Sequence, residues 1–382
     1  MRILLVEDDA ILGDGILAGL KLSEHAVDWV RDGEAARLAL LGTGTVGAAW
    51  VERYTRLQGA GIELPALAWL ANSRAVQPAA GDLATMLEQA NAAPRRERAL
   101  QGWAEAEALQ AGDILVDATA SDTVAGWHPE WLARGVHVVT ANKLGHGSLL
   151  ARSQAIAQAQ VHGRARYGDS ATVGAGLPVL SSLRALVAGG DRIHAVEGVL
   201  SGSLAWLLGA YDGSRPFSAL VREAAAAGYT EPDPRIDLSG EDVRRKLLIL
   251  ARAAGLPLQA EQVRVDSLLP AALAAAPASD ADGLLDLLDA PLAEYLHRAR
   301  TEGATLRFVG RFDAQGASVG LRALPHGHPL CGGHGTDNQV AIFSDRYRVQ
   351  PLVIQGPGAG AEVTAAALLD EVLRISARTG RD

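Results

Sequence analysis

A glycine fingerprint restricts this chain more than any other stretch. Gly42-x-Gly44-x-x-Gly47 follows the apolar run 38–41 and opens a helix-compatible segment that continues through Leu57. Between a strand and a helix each glycine has its own task. The first makes the tight turn, the second lets backbone approach a pyrophosphate, and the third lets the helix pack on the strand. The helix start adds free N–H groups and partial positive charge. The turn Gly42, Thr43, Gly44, Thr45, Val46 and Gly47 is therefore expected to hold a dinucleotide. The next strand ends at Leu70-Ala71-Asn72-Ser73-Arg74, with no Asp or Glu for a ribose 2′-hydroxyl. Ser73 and Arg74 suit a 2′-phosphate instead, so the reading favours NADP and leaves NAD possible.

Strand-like runs recur at 66–70, 114–118 and 136–140, with helical stretches at 83–91, 97–110 and 128–134. Strands alternating with helices predict right-handed βαβ units and a doubly wound parallel sheet. After Gly189-Gly190 the pattern loosens into a strand at 194–200, helices near 203–211, 216–227 and 239–254, and Ala/Pro/Asp-rich connections at 269–283. A second, α+β region is expected there. With 382 residues, 48% of them hydrophobic, the chain can build this much core. A net charge of -9 removes the basic field that nucleic acid or an anionic membrane would need. The single cysteine, Cys331, cannot form an internal disulfide. No apolar run reaches membrane-spanning length, and the first apolar stretch closes at once on Glu7-Asp8-Asp9, so the default location is the cytoplasm.

A second dense cluster runs from Gly228 to Lys246. Two prolines stiffen a loop carrying acids at 231, 233 and 237, and Ser239 reads as the cap of the following helix. On that helix Asp242 and Lys246 stand i, i+4. Val243, Leu247, Ile249 and Leu250 make it largely buried, so its lysine faces an interior or a cleft. A desolvated lysine beside carboxylates suits acid/base work.

At this point the chain, from about residue 38 onward, resembles homoserine dehydrogenase, most closely the C-terminal half of bacterial bifunctional aspartokinase-homoserine dehydrogenases. The matching stretches are LLGTGTVG at 40–47, DATAS at 117–121, TANK at 140–143, TVGAGLP at 172–178, GVLSGSLAWLL at 198–208, GYTEPDPRIDLSGEDVRRKLLILAR at 228–252 and GPGAGAEVTA at 356–365. The resemblance implies a Rossmann nucleotide-binding domain over 37–168, a catalytic and dimerisation domain over 169–340, and a return to the first domain over 341–382. It implies NAD(P)H-dependent interconversion of L-aspartate 4-semialdehyde and L-homoserine, in threonine and methionine biosynthesis, by a homodimer. By matched position, Lys246 is the proton donor and Asp242 orients it. Glu231 and Asp237 hold the substrate ammonium, Ser203 touches substrate, and Lys143 lies between cofactor and substrate. Thr119 and Gly358 line the cofactor cleft. A monovalent cation, sodium in some relatives, would use carbonyls of Val173, Ala175 and Leu177, with Ser170 where the family has a glutamate. Ile236-Asp237 replaces the family's Asp-Asp pair. No aspartokinase half is expected ahead of the dehydrogenase and no regulatory domain after it.

Residues 1–36 resemble something else, the first β-α-β of a response-regulator receiver, with Asp8 and Asp9 matching its Mg²⁺-binding acids. The phosphoacceptor Asp has no counterpart, since that register has already entered the helix at Trp50-Val51-Glu52. A receiver-type signalling protein with an inactive Rossmann body is the alternative function. His326-x-His328-x-x-Cys331-x-x-His334 has metal-ligand residue types, but the segment is glycine-rich and without flanking strand pattern, so a solvent loop is expected.

Overall fold

The computed structural model describes residues 2–6, 10–23, 25–30, 36–94 and 108–379. Strand β1 (Arg2–Val6), helix α1 (Ala10–Leu22) and strand β2 (Ala26–Val30) come first, and β1 pairs with β2 in a two-stranded parallel sheet of their own. Asp8 and Asp9 lie outside the described residues, as does most of the helical stretch expected at 97–110.

The nucleotide-type sheet follows. Its elements are β3 (Arg37–Leu41), α2 (Thr45–Gly59), β4 (Ala66–Ala71), β5 (Val76–Pro78), α3 (Leu83–Ala92), β6 (Ile114–Asp117), α4 (Asp122–Ala133), β7 (His137–Thr140), α5 (Leu150–His162) and β8 (Tyr167–Gly168). The order is β5-β4-β3-β6-β7-β8, parallel throughout except for the antiparallel edge pair β4–β5. Strands covered on both faces must be apolar on both. Leu38 and Leu40 accordingly pack with Trp50 and Tyr54 of α2, while Ala39 and Leu41 point to the opposite layer with Trp131 and Ile156.

The second region runs through α6 (Val179–Ala188), β9 (Ile193–Val199), α7 (Gly202–Ala210), α8 (Phe217–Ala226), α9 (Glu241–Ala253), β10 (Val263–Val265), α10 (Asp289–Thr301), β11 (Ala304–Asp313), β12 (Gly316–Pro325), β13 (Asp337–Ser344) and β14 (Leu352–Pro357). Its six strands order β10-β12-β11-β9-β13-β14, with β9, β11, β12, β13 and β14 pairing antiparallel and β10 parallel to β12. Val243, Leu247 and Leu250 of α9 share one core with Phe308 and Phe312 of β11. Helix α11 (Ala361–Thr379) then returns to the first sheet, its Leu368, Leu369 and Val372 closing on Leu38 and Trp50. The change expected at residue 341 thus falls inside β13, and the return starts at α11.

Other expectations are corrected. The helix expected at 128–134 begins at Asp122, because Ser121 caps it by accepting from the Val124 amide. Helix α9 is entered through Gly240 at φ 79°, not through Ser239, whose hydroxyl instead donates to the Ile236 carbonyl. The connection 269–283 contains short helices at Ala271–Ala275 and Ala281–Leu284. The His/Cys segment is flanked by β12 and β13 after all.

Candidate active site

The glycine turn is built as its spacing requires. Gly42 sits at φ +101°, where a Cβ would come within 2.8 Å of the Ala118 carbonyl carbon, and a Cβ on Gly47 would lie 2.0 Å from the Gly42 oxygen. Only glycine lets β3, β6 and α2 approach this closely. Gly44 caps α2 without a side-chain bond, and a Cβ there meets nothing within 4 Å. The first-turn amides, entered through Thr45 and Val46, therefore open onto free space suited to a pyrophosphate. This cradle fits a dinucleotide.

The adjoining strand end is organised by two asparagines. The Thr43 hydroxyl, buried, donates to Asn91 Oδ1 (2.6 Å) and accepts from Asn72 Nδ2 (2.8 Å). Asn72 Oδ1 accepts from the amides of Arg74 (2.7 Å) and Ala75 (2.9 Å), shaping the turn after β4. Arg74 donates to the Asn91 carbonyl (2.8 Å) at the end of α3, while Ser73 is exposed beside it. Neither asparagine was anticipated, although an Asn before Ser-Arg at a strand end is a turn signal.

Two further loops leave the carboxyl ends of β6 and β7. Asp117 is fully buried. Its Oδ1 accepts from the Thr119 amide (2.8 Å), and its Oδ2 pairs with His128 Nε2 (2.9 Å), whose Nδ1 meets the Tyr167 hydroxyl (2.9 Å). Asn142 donates to the Ser121 carbonyl (2.9 Å), tying the Thr119 loop to the loop that carries Lys143. The latter loop docks on α9: Arg252 donates to the His146 and Ser148 carbonyls, and a Cβ on Gly147 would be 2.9 Å from the Arg245 oxygen.

At this junction the charged groups meet. Lys246, buried on α9, donates to the Leu200 carbonyl (2.6 Å) and pairs with Asp242 Oδ2 (2.8 Å). Lys143 approaches Asp242 Oδ1 at 3.5 Å. Burial opposes charge on Asp242, but the ammonium groups of Lys246 and Lys143 outweigh it and hold the carboxyl well below the ordinary carboxylate range. Three residues beyond Leu200, the Ser203 hydroxyl donates to Asp237 Oδ1 (2.6 Å), and Asp237 Oδ2 accepts from the Glu231 amide (2.9 Å). Glu231 itself is exposed. Asp233, the remaining acid of the loop, is paired with Arg235 at 2.6 Å and so belongs to the loop's own scaffold. Gly358 is buried against Asn338, whose Cγ a Cβ at 358 would overlap at 2.0 Å. The structure thus brings Lys143, Asp242, Lys246 and the Leu200–Ser203 turn into one junction.

The turn 173–177 passes through positive φ at Gly174 (74°), which glycine adopts freely, and at Ala175 (48°), where the side chain makes it strained. The Leu177 carbonyl accepts from the Val179 amide (2.8 Å), and ahead of the turn the buried carboxylate of Asp169 is held by Arg184 through two bonds (2.5 and 2.8 Å). In the His/Cys segment, His328 caps the turn Pro329–Cys331 and faces Glu197 Oε2 at 3.3 Å.

Residues 178–373 match the family model for homoserine dehydrogenase, and residues 42–167 match the model for the homoserine dehydrogenase NAD binding domain. The chain is 39% identical over 349 residues to the bifunctional aspartokinase/homoserine dehydrogenase 2 of Escherichia coli, covering 89% of this chain and 43% of that protein. It is 39% identical over 279 residues to the homoserine dehydrogenase of Emericella nidulans, covering 69% of this chain and 76% of that one. The crystal structure of a Candida auris protein of unknown function superposes with a TM-score of 0.78 at 33% identity, covering 90% of this chain and 99% of that one. The chain spans 29% to 43% of the length of the bifunctional relatives it matches.

Proposed function

The chain belongs to the homoserine dehydrogenase family, and from that premise we propose that it interconverts L-aspartate 4-semialdehyde and L-homoserine with a nicotinamide cofactor, a step toward threonine and methionine. The carrying observation is Lys246, held on a buried helix face between the Leu200 carbonyl and Asp242. A nicotinamide cofactor, held through its pyrophosphate at the glycine cradle, would supply or accept the hydride. In the reduction, Lys246 Nζ gives its proton to the aldehyde oxygen as negative charge develops there. In the oxidation, the neutral amine takes the hydroxyl proton. Asp242 keeps the ammonium aimed and shares its charge with Lys143. Glu231 and Asp237 supply negative charge for the substrate ammonium, and the Ser203 bond orients Asp237.

The 2′-phosphate of NADP is assigned to Ser73 and Arg74. The support is the absence of an acid after β4 and the Asn91 contact that sets the arginine at the strand end. A homodimer through the second sheet belongs to the same proposal, supported by its edge strand β14, which exposes Val353. No helix among the described residues is long and apolar enough to cross a membrane. The receiver-type alternative is not favoured, because matches to the dehydrogenase models run from residue 42 to residue 373.

The test is NADPH consumption with L-aspartate 4-semialdehyde as substrate. Substrate-dependent loss of NADPH absorbance, slowed about 10²- to 10⁴-fold in Lys246→Ala, is the expected result. Turnover that is absent with this aldehyde in a folded, cofactor-binding protein overturns the substrate assignment.

A further inference from the structure

We propose that Asn338 is a positioning residue for Lys246, acting on the lysine through the carbonyl they share. The inference rests on the reading of Lys246 as the proton-transfer group. Leu200 O accepts two donors at once, the Lys246 ammonium at 2.6 Å and the Asn338 side-chain amide at 3.3 Å. Asn338 stands on β13 one step beyond the Gln339–Val199 pair, opposite Gly356 on β14, and is 1% exposed. Its amide orientation follows from chemistry, because only the NH₂ end can face a carbonyl oxygen. The other end, Oδ1, is buried without a hydrogen-bond partner among the described residues. A fully buried, half-satisfied amide costs stability in most proteins. Its placement here is explained by what it touches.

The same side chain meets the 356–360 turn. A Cβ on Gly358 would overlap its Cγ and stand 2.3 Å from its Nδ2, so that turn rests directly on the amide. One buried group therefore carries both the backbone of the proposed cofactor cleft and the anchor of the lysine. With two donors on it, Leu200 O is fixed in direction, and the Lys246 ammonium that it anchors is held at a set position on the face of α9. The charged groups facing Lys246 are Asp242 of its own helix and, beyond Asp242, Lys143 from the loop after β7.

The experiment compares kcat and the KM for homoserine in wild type, Asn338→Ala, Asn338→Ser, Lys246→Ala and the Asn338→Ala/Lys246→Ala double variant, with thermal unfolding of each as the check on folding. A positioning role predicts that kcat falls about tenfold in Asn338→Ala while the KM for homoserine stays within about twofold, that Asn338→Ser, which keeps a donor, recovers part of the loss, and that Asn338→Ala costs no further turnover once Lys246 is gone. A kcat within about twofold of wild type in a folded Asn338→Ala, or the same loss in the Lys246→Ala background as in wild type, overturns the inference and makes Asn338 a packing residue. Near wild-type turnover in Lys246→Ala removes the proton-transfer reading of the lysine, and the inference with it.

Discussion

In the parallel sheet, β3, β6 and β7 are covered by helices on both faces, and the groups of its candidate site sit in turns beyond their carboxyl ends. In the second sheet, one face packs on helices, while the other carries the small cluster Val199, Val309, Leu330 and Ala341 beside charged Glu197 and Arg311. Its site groups come from helix α9, the 229–239 loop and the Leu200–Ser203 turn that follows β9. The first half is thus a backbone device, in which glycines and helix amides shape a surface. The second is a side-chain device, in which charge is placed on a buried frame. Substitutions should therefore act on cofactor binding and fold in one half and on turnover in the other.

The largest expected departure is Lys246→Ala, which should cut kcat by about 10²- to 10⁴-fold, as losing a general acid/base does. Cofactor affinity, measured by fluorescence titration, should stay near normal. A variant that retains more than about half of wild-type turnover would falsify the division of labour.

Acid should separate the halves next. Burial, together with nearby Arg166 and despite Asp113, pushes the pKa of His137 on β7 down to about 4. Its Nδ1 accepts from the Arg166 amide, so the fold wants the neutral ring. The unfolded chain binds that proton at the ordinary value near 6.5. This contribution is therefore fully present above about pH 6.5 and drains as pH falls toward 4, by up to about 3 kcal/mol. Asp242, with its pKa depressed, keeps its ion pairs to far lower pH. Urea unfolding at pH 7 and pH 4.5 should show the loss, and His137→Gln should flatten it. An unchanged slope in that variant would remove His137 as the cause.

Within the cradle, Gly47→Ala should destabilise the fold by about 1–3 kcal/mol, because its Cβ meets the Gly42 backbone oxygen rather than a flexible side chain. Gly44→Ala meets nothing and should leave thermal stability intact while weakening cofactor binding. Equal stability losses in both would show that the open side of the turn is not a ligand surface. Arg74→Ala should raise the KM for NADPH several-fold and leave that for NADH nearly alone; equal effects on both would reassign Arg74 to the turn it braces.

The smallest effect is expected from deleting residues 1–36. Strand β3 already has β4 and β6 as neighbours, and β1–β2 forms a separate sheet, so turnover should stay within about twofold. A collapse of activity on deletion would make that segment structural for the dehydrogenase.

The parallel half was legible because strands buried on both faces are written as unbroken apolar runs, such as 38–41 and 114–116, punctuated by glycine. The strands β10–β14 were not read. Arg307 and Arg311 alternate with Phe308 and Phe312 along β11, and such a strand is decided by its partners more than by its own composition. The Asp242–Lys246 pair could be read from its spacing, because i, i+4 proximity is local to a helix.

The residues of the chain thus settle by themselves what depends on short-range geometry: the glycine turn, the helix that carries the lysine, and the chemical types of the acids in the 231–237 loop. Contacts between distant segments depend on how the chain packs, within each sheet's own half and between the two halves. Lys143 reaches Asp242 across 99 positions, Asn338 reaches Leu200 across 138, and Thr43 reaches Asn91 across 48. No local pattern encodes such distances, because each contact exists only after hydrophobic burial has closed the loops between them.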